Sequence, residues 1–162
     1  MTPVGAHIVL HKMVPTPGKQ KIQAVLLYKR TQNAPVHPGY WGLFGGRLKN
    51  NEDPLKGLQR EIAEEMEVTG MQQDWLKNAK HLTDLSIVRD EKELSVRYFE
   101  APLDRDMDSL RLKRNKNKVE GEGLGWFTEE EIQHIWLRPE DRTALTKFFS
   151  SGARPTQGSK TG

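Results

Sequence analysis

Apolar residues alternate or cluster over residues 6–13 and 22–30, as half-buried and buried β-strands require. The run Pro15-Thr16-Pro17-Gly18 between them predicts a reversal of the chain. Residues 31–39 read as a loop, and residues 40–48 as short strands interrupted at Gly45-Gly46. The period then changes to that of a helix. Asp53 ahead of Pro54 has the form of an N-cap followed by a first helical residue. Leu55, Leu58, Ile62 and Met66 supply one apolar stripe, so a helix is expected over residues 54–67, with Gly70 as its C-cap. Strand periodicity returns over residues 80–89 and 93–101, a hairpin turning near Asp90-Glu91-Lys92. Residues 102–118 are expected as a long loop and residues 124–127 as a last strand. Thr128 should cap a short helix ending near Trp136, and residues 139–149 a terminal helix. This order predicts an α/β sandwich with a mixed sheet in one domain, residues 1–150. Residues 151–162, rich in Gly, Ser, Thr and Pro, are expected as a disordered tail.

The helix over residues 54–67 has an unusual polar side. At about 100° per residue, Glu61, Glu64 and Glu65 form an acidic face beside the apolar stripe. Like charges at these spacings cost an isolated helix about 0.2–0.5 kcal/mol per pair, and a bound cation offsets that repulsion. Mg²⁺ suits the set, as a hard ion that takes carboxylate oxygens together with substrate phosphates.

Gly46, Glu52, Arg60, Glu61, Ile62, Glu64, Glu65 and Val68 fall in the register Gly, five residues, Glu, seven residues, Arg-Glu-aliphatic-x-Glu-Glu-x-Gly-aliphatic. The segment resembles the Nudix box. Glu67 stands where the family has glycine, and Phe44 stands where proline usually precedes the glycine pair. The resemblance implies the Nudix α/β/α sandwich with a mixed β-sheet, and hydrolysis of a pyrophosphate bond in a nucleoside diphosphate derivative. It implies Mg²⁺ as cofactor, with Mn²⁺ as a substitute. By the same resemblance Glu61, Glu64 and Glu65 are metal ligands, Arg60 orients a carboxylate, and Glu52 pairs with Arg60 or reaches a water in the metal's shell. The Gly45 carbonyl is a further ligand candidate. Glu120, six residues before Trp126 as in MutT-type members, is the choice for an extra ligand or base, with Glu122 its rival. Arg30 and Arg47 match phosphate-contacting positions or are surface cations. Tyr40 and Trp41 are candidates to stack on a base, or are core residues.

Composition narrows the partners. The chain of 162 residues is long enough for one domain with a real core. Zero cysteines exclude disulfides, thiolate metal sites and a cysteine nucleophile. No apolar run approaches a membrane span. His7, His11 and Lys12 interrupt the N-terminal apolar residues, so neither a membrane nor a signal peptide is expected, and a cytoplasmic location is. A net charge of only +3 is not the footprint of a dedicated nucleic-acid binder. Lys113, Arg114, Lys116 and Lys118 nonetheless crowd one segment before Glu120, either as a solvated loop or as a basic lip that draws in phosphates. The histidines lack metal-ligand spacing and read as structural or solvated, with only His37 near the expected cleft. Residues 81–85 carry neither the proline of ADP-ribose-type members nor the tyrosine of dinucleoside polyphosphate members, and the motif of coenzyme A hydrolases is only partly echoed. The favoured reading is a MutT-like enzyme cutting a nucleoside triphosphate, modified or oxidised forms included, to monophosphate and pyrophosphate. Nucleotide sugars and other nucleoside diphosphate derivatives are the alternative, and RNA 5′-end hydrolysis a third. A silent binding module would have lost the carboxylates that this chain keeps. The expected partner is a small-molecule nucleotide, and a homodimer is left open.

Overall fold

A computed structural model describes residues 1–18, 20–34, 36–68, 77–105, 110–112 and 121–151. Its elements are β1 (Pro3–Pro15), β2 (Lys21–Arg30), β3 (Trp41–Gly42), β4 (Phe44–Arg47), α1 (Pro54–Glu65), β5 (Met66–Val68), β6 (Lys80–Arg89), β7 (Lys92–Pro102), β8 (Leu110–Leu112), β9 (Gly121–Thr128), α2 (Glu129–Ile132) and α3 (Pro139–Ser150). The main sheet runs β3-β2-β1-β7-β6, with β4 also on β1 and β9 also on β2. Among the described strands only β1 and β7 pair with each other in parallel and the other strand pairs are antiparallel, so the sheet is mixed. β1 changes partner along its length, lying on β4 from Gly5 to Ile8 and on β2 from His11 to Pro15.

The central strands read as nearly continuous apolar runs because both of their faces are covered. Alternation divides their side chains between two cores. Ile8, Leu10, Leu26 and Tyr28 pack with Leu58 and Ile62 of α1 and with Met66 of β5. Val9, Val25 and Leu27 pack with Ala144, Leu145 and Phe148 of α3 on the opposite face. The result is an α/β/α sandwich.

The start of α1 is as the sequence dictates. Asp53 accepts hydrogen bonds from the backbone N–H groups of Leu55 and Lys56, and Pro54 opens the helix. Its end corrects the expectation. The helix stops at Glu65, Met66 is extended (φ −138°, ψ 139°), and residues 66–68 form β5 against β8. The extended turn-off buries Met66 (3 % exposed) in the same core as Leu110 (4 % exposed), a non-local contact that helical spacing does not report. Glu67 therefore continues neither the helix nor a left-handed cap; its backbone pairs with Arg111, and Gly70 lies outside the described residues. β8 likewise interrupts the expected long loop.

The hairpin of β6 and β7 turns through Asp90 (φ 52°) and Glu91 (φ 63°). Two successive left-handed residues make the turn whose twist matches the strands it joins. Thr128 caps α2 through a capping box with Glu131, but α2 ends at Ile132 rather than near Trp136. The segment after it lies along β3, where Trp41 N–H donates to the Trp136 carbonyl (2.7 Å) and Arg138 N–H to the Trp41 carbonyl (3.1 Å). α3 extends through Ser150, and residues 152–162 of the expected tail lie outside the described residues. No described helix is long and apolar enough to cross a membrane.

Candidate active site

The loop between β4 and α1 closes on the helix at Gly57. A Cβ there would strike Leu48 and come within 2.9 Å of a Glu52 carboxylate oxygen. Glu52 is thereby pressed against α1, where Arg60 meets it with two prongs, Nε to Oε2 at 3.1 Å and Nη2 to Oε1 at 2.9 Å. The Lys49 N–H adds a third bond to the same carboxylate at 2.9 Å. Chiefly the Arg60 hydrogen bond, and after it that backbone bond, pull the Glu52 carboxyl down to about 2. The same hydrogen bond pushes the Arg60 guanidinium further up. Arg60 also reaches Glu61 (3.2 Å), Glu64 (3.5 Å) and the Arg47 carbonyl (3.2 Å). It is the hub that ties the loop to the acidic face.

Two of the helix carboxylates converge on the glycine pair. Glu65 Oε1 accepts the Gly45 N–H at 3.2 Å. A Cβ on Gly46 would lie 2.6 Å from Glu61 Cδ and 2.8 Å from both of its oxygens. Gly45 itself sits at φ 139°, with the Ala6 carbonyl where a side chain would be. Glu64 stands apart, its side chain 53 % exposed beside Arg60. Among the described residues no group of three or more Asp, Glu or His side chains encloses a cation. The donors at the glycine pair are oxygens only, in an open arrangement with a cradle that a Cβ would fill. That chemistry fits a hard divalent ion, which binds through one or two carboxylates and keeps several waters.

A cleft of about 1220 Å³ begins at Gly46 and Arg47. Arg30, Arg47, Lys49, Arg89 and Arg138 line it, against the carboxylates of Glu140 and Asp141, so it favours anions. Its floor is a fixed polar cluster. Asp141 accepts from Tyr98 OH (2.8 Å), Leu43 N–H (3.0 Å) and Arg138 Nε (2.8 Å). Arg138 Nη2 also donates to the Leu43 carbonyl at 2.6 Å. Burial raises the Asp141 carboxyl, but Arg138 and these hydrogen bonds outweigh it and leave it below the ordinary carboxylate range. Burial, then the neighbouring Asp141, pushes the Tyr98 hydroxyl up. His7 stacks on Tyr98 (5.4 Å), its Nδ1 has no hydrogen-bond partner among the described residues, and burial brings it down to about 4. It is neutral at pH 7.

The residues singled out from sequence fall in several places. Glu52, Arg60, Glu61, Glu65 and Gly45 meet at the loop–helix junction, and Arg30 and Arg47 line the cleft. Tyr40 lies between His37 and Trp136. Trp41 packs edge-on against Phe127 (4.7 Å) at the α3-side core and is not part of the cleft wall. Glu120 and the basic residues 113–118 lie outside the described residues; β9 begins just after them, with Gly121 opposite Arg30. Sequence reasoning missed His7, Lys49, Arg89 and Arg138. One signal was available: Asp141 occupies the apolar stripe of α3 with Ala144, Leu145 and Phe148, and an acid at a core position calls for a cationic partner.

Comparison with known proteins agrees with this geometry. The sequence matches the family described as NUDIX domain over residues 12–148. No curated protein sequence matches the chain. Similar solved structures include a MutT NUDIX hydrolase from Burkholderia pseudomallei (22 % identity, TM-score 0.61, covering 91 % of this chain and 98 % of that one). The NUDIX domain of Shewanella oneidensis NrtR complexed with ADP ribose is also similar (15 %, TM-score 0.65, 93 % and 88 %). So is a C. elegans Ap4A hydrolase binary complex (22 %, TM-score 0.63, 94 % and 98 %). At these identities the structural likeness carries the fold, while the family match spans the chain from β1 to α3. The chain therefore belongs to the Nudix family and is a hydrolase of pyrophosphate bonds in nucleotide-derived substrates.

Proposed function

We propose that this Nudix hydrolase cuts a nucleoside triphosphate to the monophosphate and pyrophosphate, with Mg²⁺ as its ion and Mn²⁺ as a substitute. The observation that carries the reading is the continuity at Gly46, which lines the cationic cleft on one side and abuts the Glu61 carboxylate on the other. A phosphate chain against Arg30, Arg47 and Lys49 therefore runs toward the helix carboxylates.

Glu61 and Glu65 would hold the ion, with Glu64 and the Gly45 carbonyl as further donors. Bound there, it supplies Lewis-acid stabilisation of the charge that builds on the phosphate oxygens. The protein's own part is mainly positioning. Arg60, locked to Glu52, fixes the side chains of the acidic face. The cleft cations neutralise the phosphates and keep the chain in line. Glu120 is the proposed base, with Glu122 as its rival: it takes the proton of the attacking water while the bridging oxygen leaves with its bonding pair, giving one monophosphate and one pyrophosphate.

A second reading, hydrolysis of a nucleotide sugar or another nucleoside diphosphate derivative, is favoured by the size of the cleft. At about 1220 Å³ it exceeds the ordinary small-ligand range of roughly 300–1,000 Å³. The similar NUDIX domain of Shewanella oneidensis NrtR is complexed with ADP ribose, and the C. elegans neighbour is an Ap4A hydrolase. A Mg²⁺-dependent screen over nucleoside triphosphates, nucleotide sugars, ADP-ribose, dinucleoside polyphosphates and triphosphorylated RNA, with products identified by mass, decides between them. Turnover confined to diphosphate derivatives transfers the assignment to the second reading.

A further inference from the structure

Among the described residues the Trp136 side chain is 72 % accessible, although indoles are usually well covered. Its place is nevertheless fixed. The Trp136 carbonyl accepts the Trp41 N–H at 2.7 Å, and the adjoining Leu137 bridges to Trp41. Tyr40 backs the indole at 5.4 Å and 48°, and His37 backs Tyr40 at 5.0 Å and 42°. These spacings and tilts lie within the range of favourable aromatic pairs. His37 in turn lines the cationic cleft beside Arg30, whose Nε donates to the Val36 carbonyl at 2.9 Å. Three rings thus lead from a cationic wall to solvent.

We propose that Trp136, backed by Tyr40 and His37, is a stacking site for the base of the nucleotide whose phosphates lie against Arg30. The inference rests on the nucleotide reading above. Charge complementarity sends the phosphate chain to the arginine, and the stepped rings of His37 and Tyr40 connect that wall to the indole. A surface indole offers a π-face but no pattern of donors and acceptors around the base edge, so the site is tolerant of base identity. Purines, with the larger ring area, stack more strongly than pyrimidines.

The test uses the full chain, W136A and W136F, with adenosine 5′-(α,β-methylene)triphosphate and inorganic tripolyphosphate as calorimetric probes in Mg²⁺. W136A should weaken the adenosine analogue by about 5- to 150-fold, the loss carried by one base–aromatic stack. W136F should retain most of the affinity, and tripolyphosphate should bind all three proteins alike. The exposure of the side chain makes a folding defect an unexpected result, and melting curves check it directly. Unchanged analogue affinity in W136A, an equal loss for tripolyphosphate, or no binding of the analogue by the parent protein overturns the proposal. So does a change of oligomeric state in W136A without a change in affinity, which assigns the indole to a protein contact. Normal stacking behaviour with no hydrolysis of any triphosphate leaves the base site standing and removes the triphosphate reading.

Discussion

Gly46→Ala separates the chemistry of the site from the stability of the fold. The new Cβ lies 2.6 Å from Glu61 Cδ, and ordinary contact begins near 3.4 Å, so the carboxyl must retreat by about 0.8 Å. The clash is with the end of a flexible side chain, which can yield without moving the sheet. A displacement of about 1 Å at a reacting centre costs roughly 10²-fold in rate, or about 2.7 kcal/mol of transition-state stabilisation. The expected result is a kcat reduced about 10²-fold, a raised Mg²⁺ requirement and an unchanged melting temperature. Gly45→Ala is the contrasting neighbour. At φ 139° its Cβ meets the Ala6 carbonyl and comes within 2.6 Å of His7 Cα, so the backbone itself must give. That should cost about 2 kcal/mol or more, a fall of roughly 4–8 °C in Tm. Both variants are assayed by steady-state hydrolysis across a Mg²⁺ titration and by thermal melting. Full activity in Gly46→Ala at limiting Mg²⁺, or a Tm loss equal to that of Gly45→Ala, would refute the role given to Glu61.

Glu65→Gln should lower kcat by roughly 10²-fold or more, since a proposed ligand of the ion is lost; near-normal turnover at saturating Mg²⁺ removes Glu65 from the site. Asp141→Asn leaves the buried Arg138 without its counter-charge and should destabilise by about 3–5 kcal/mol, seen as a Tm loss of roughly 6–20 °C that Arg138→Gln in the same chain partly restores. His7 binds its proton less readily when folded, about 4 against an ordinary 6.5, so the unfolded chain holds more protons between those values and stability rises with pH across that window. The slope should amount to about 3 kcal/mol in total and should flatten in His7→Asn, as followed by denaturant unfolding at pH 4, 5, 6 and 7; an unchanged slope means that His7 is not held neutral by burial.

What could be read from the sequence was local. Asp53-Pro54 and the stripe through Leu58 and Ile62 specify α1 because capping and helical spacing are contained within a few turns. The strands of the main sheet and the hairpin at Asp90-Glu91 were legible for the same reason. The end of α1 was not, because Met66 leaves the helix to pair with β8, more than forty residues on in the chain. No periodicity in one segment reports such a partner. The acidic face was legible as a family motif, and the Glu52–Arg60 pair is formed as it implied. The floor of the cleft was hidden for a different reason. His7, Tyr98 and Asp141 come from β1, β7 and α3, and only the sheet brings them together. Trp41 shows the limit of composition at a site: it adjoins Tyr40 in sequence, yet pairing with β2 turns its indole to the core.

The most direct test of the site is hydrolysis of a nucleoside triphosphate in ¹⁸O-labelled water with Mg²⁺, with products resolved by mass. The expected products are nucleoside monophosphate and pyrophosphate, with the label in one of them alone and the rate reduced together in Glu61→Gln and Glu65→Gln. Orthophosphate as the first product, or full rates in both glutamine variants, would contradict it.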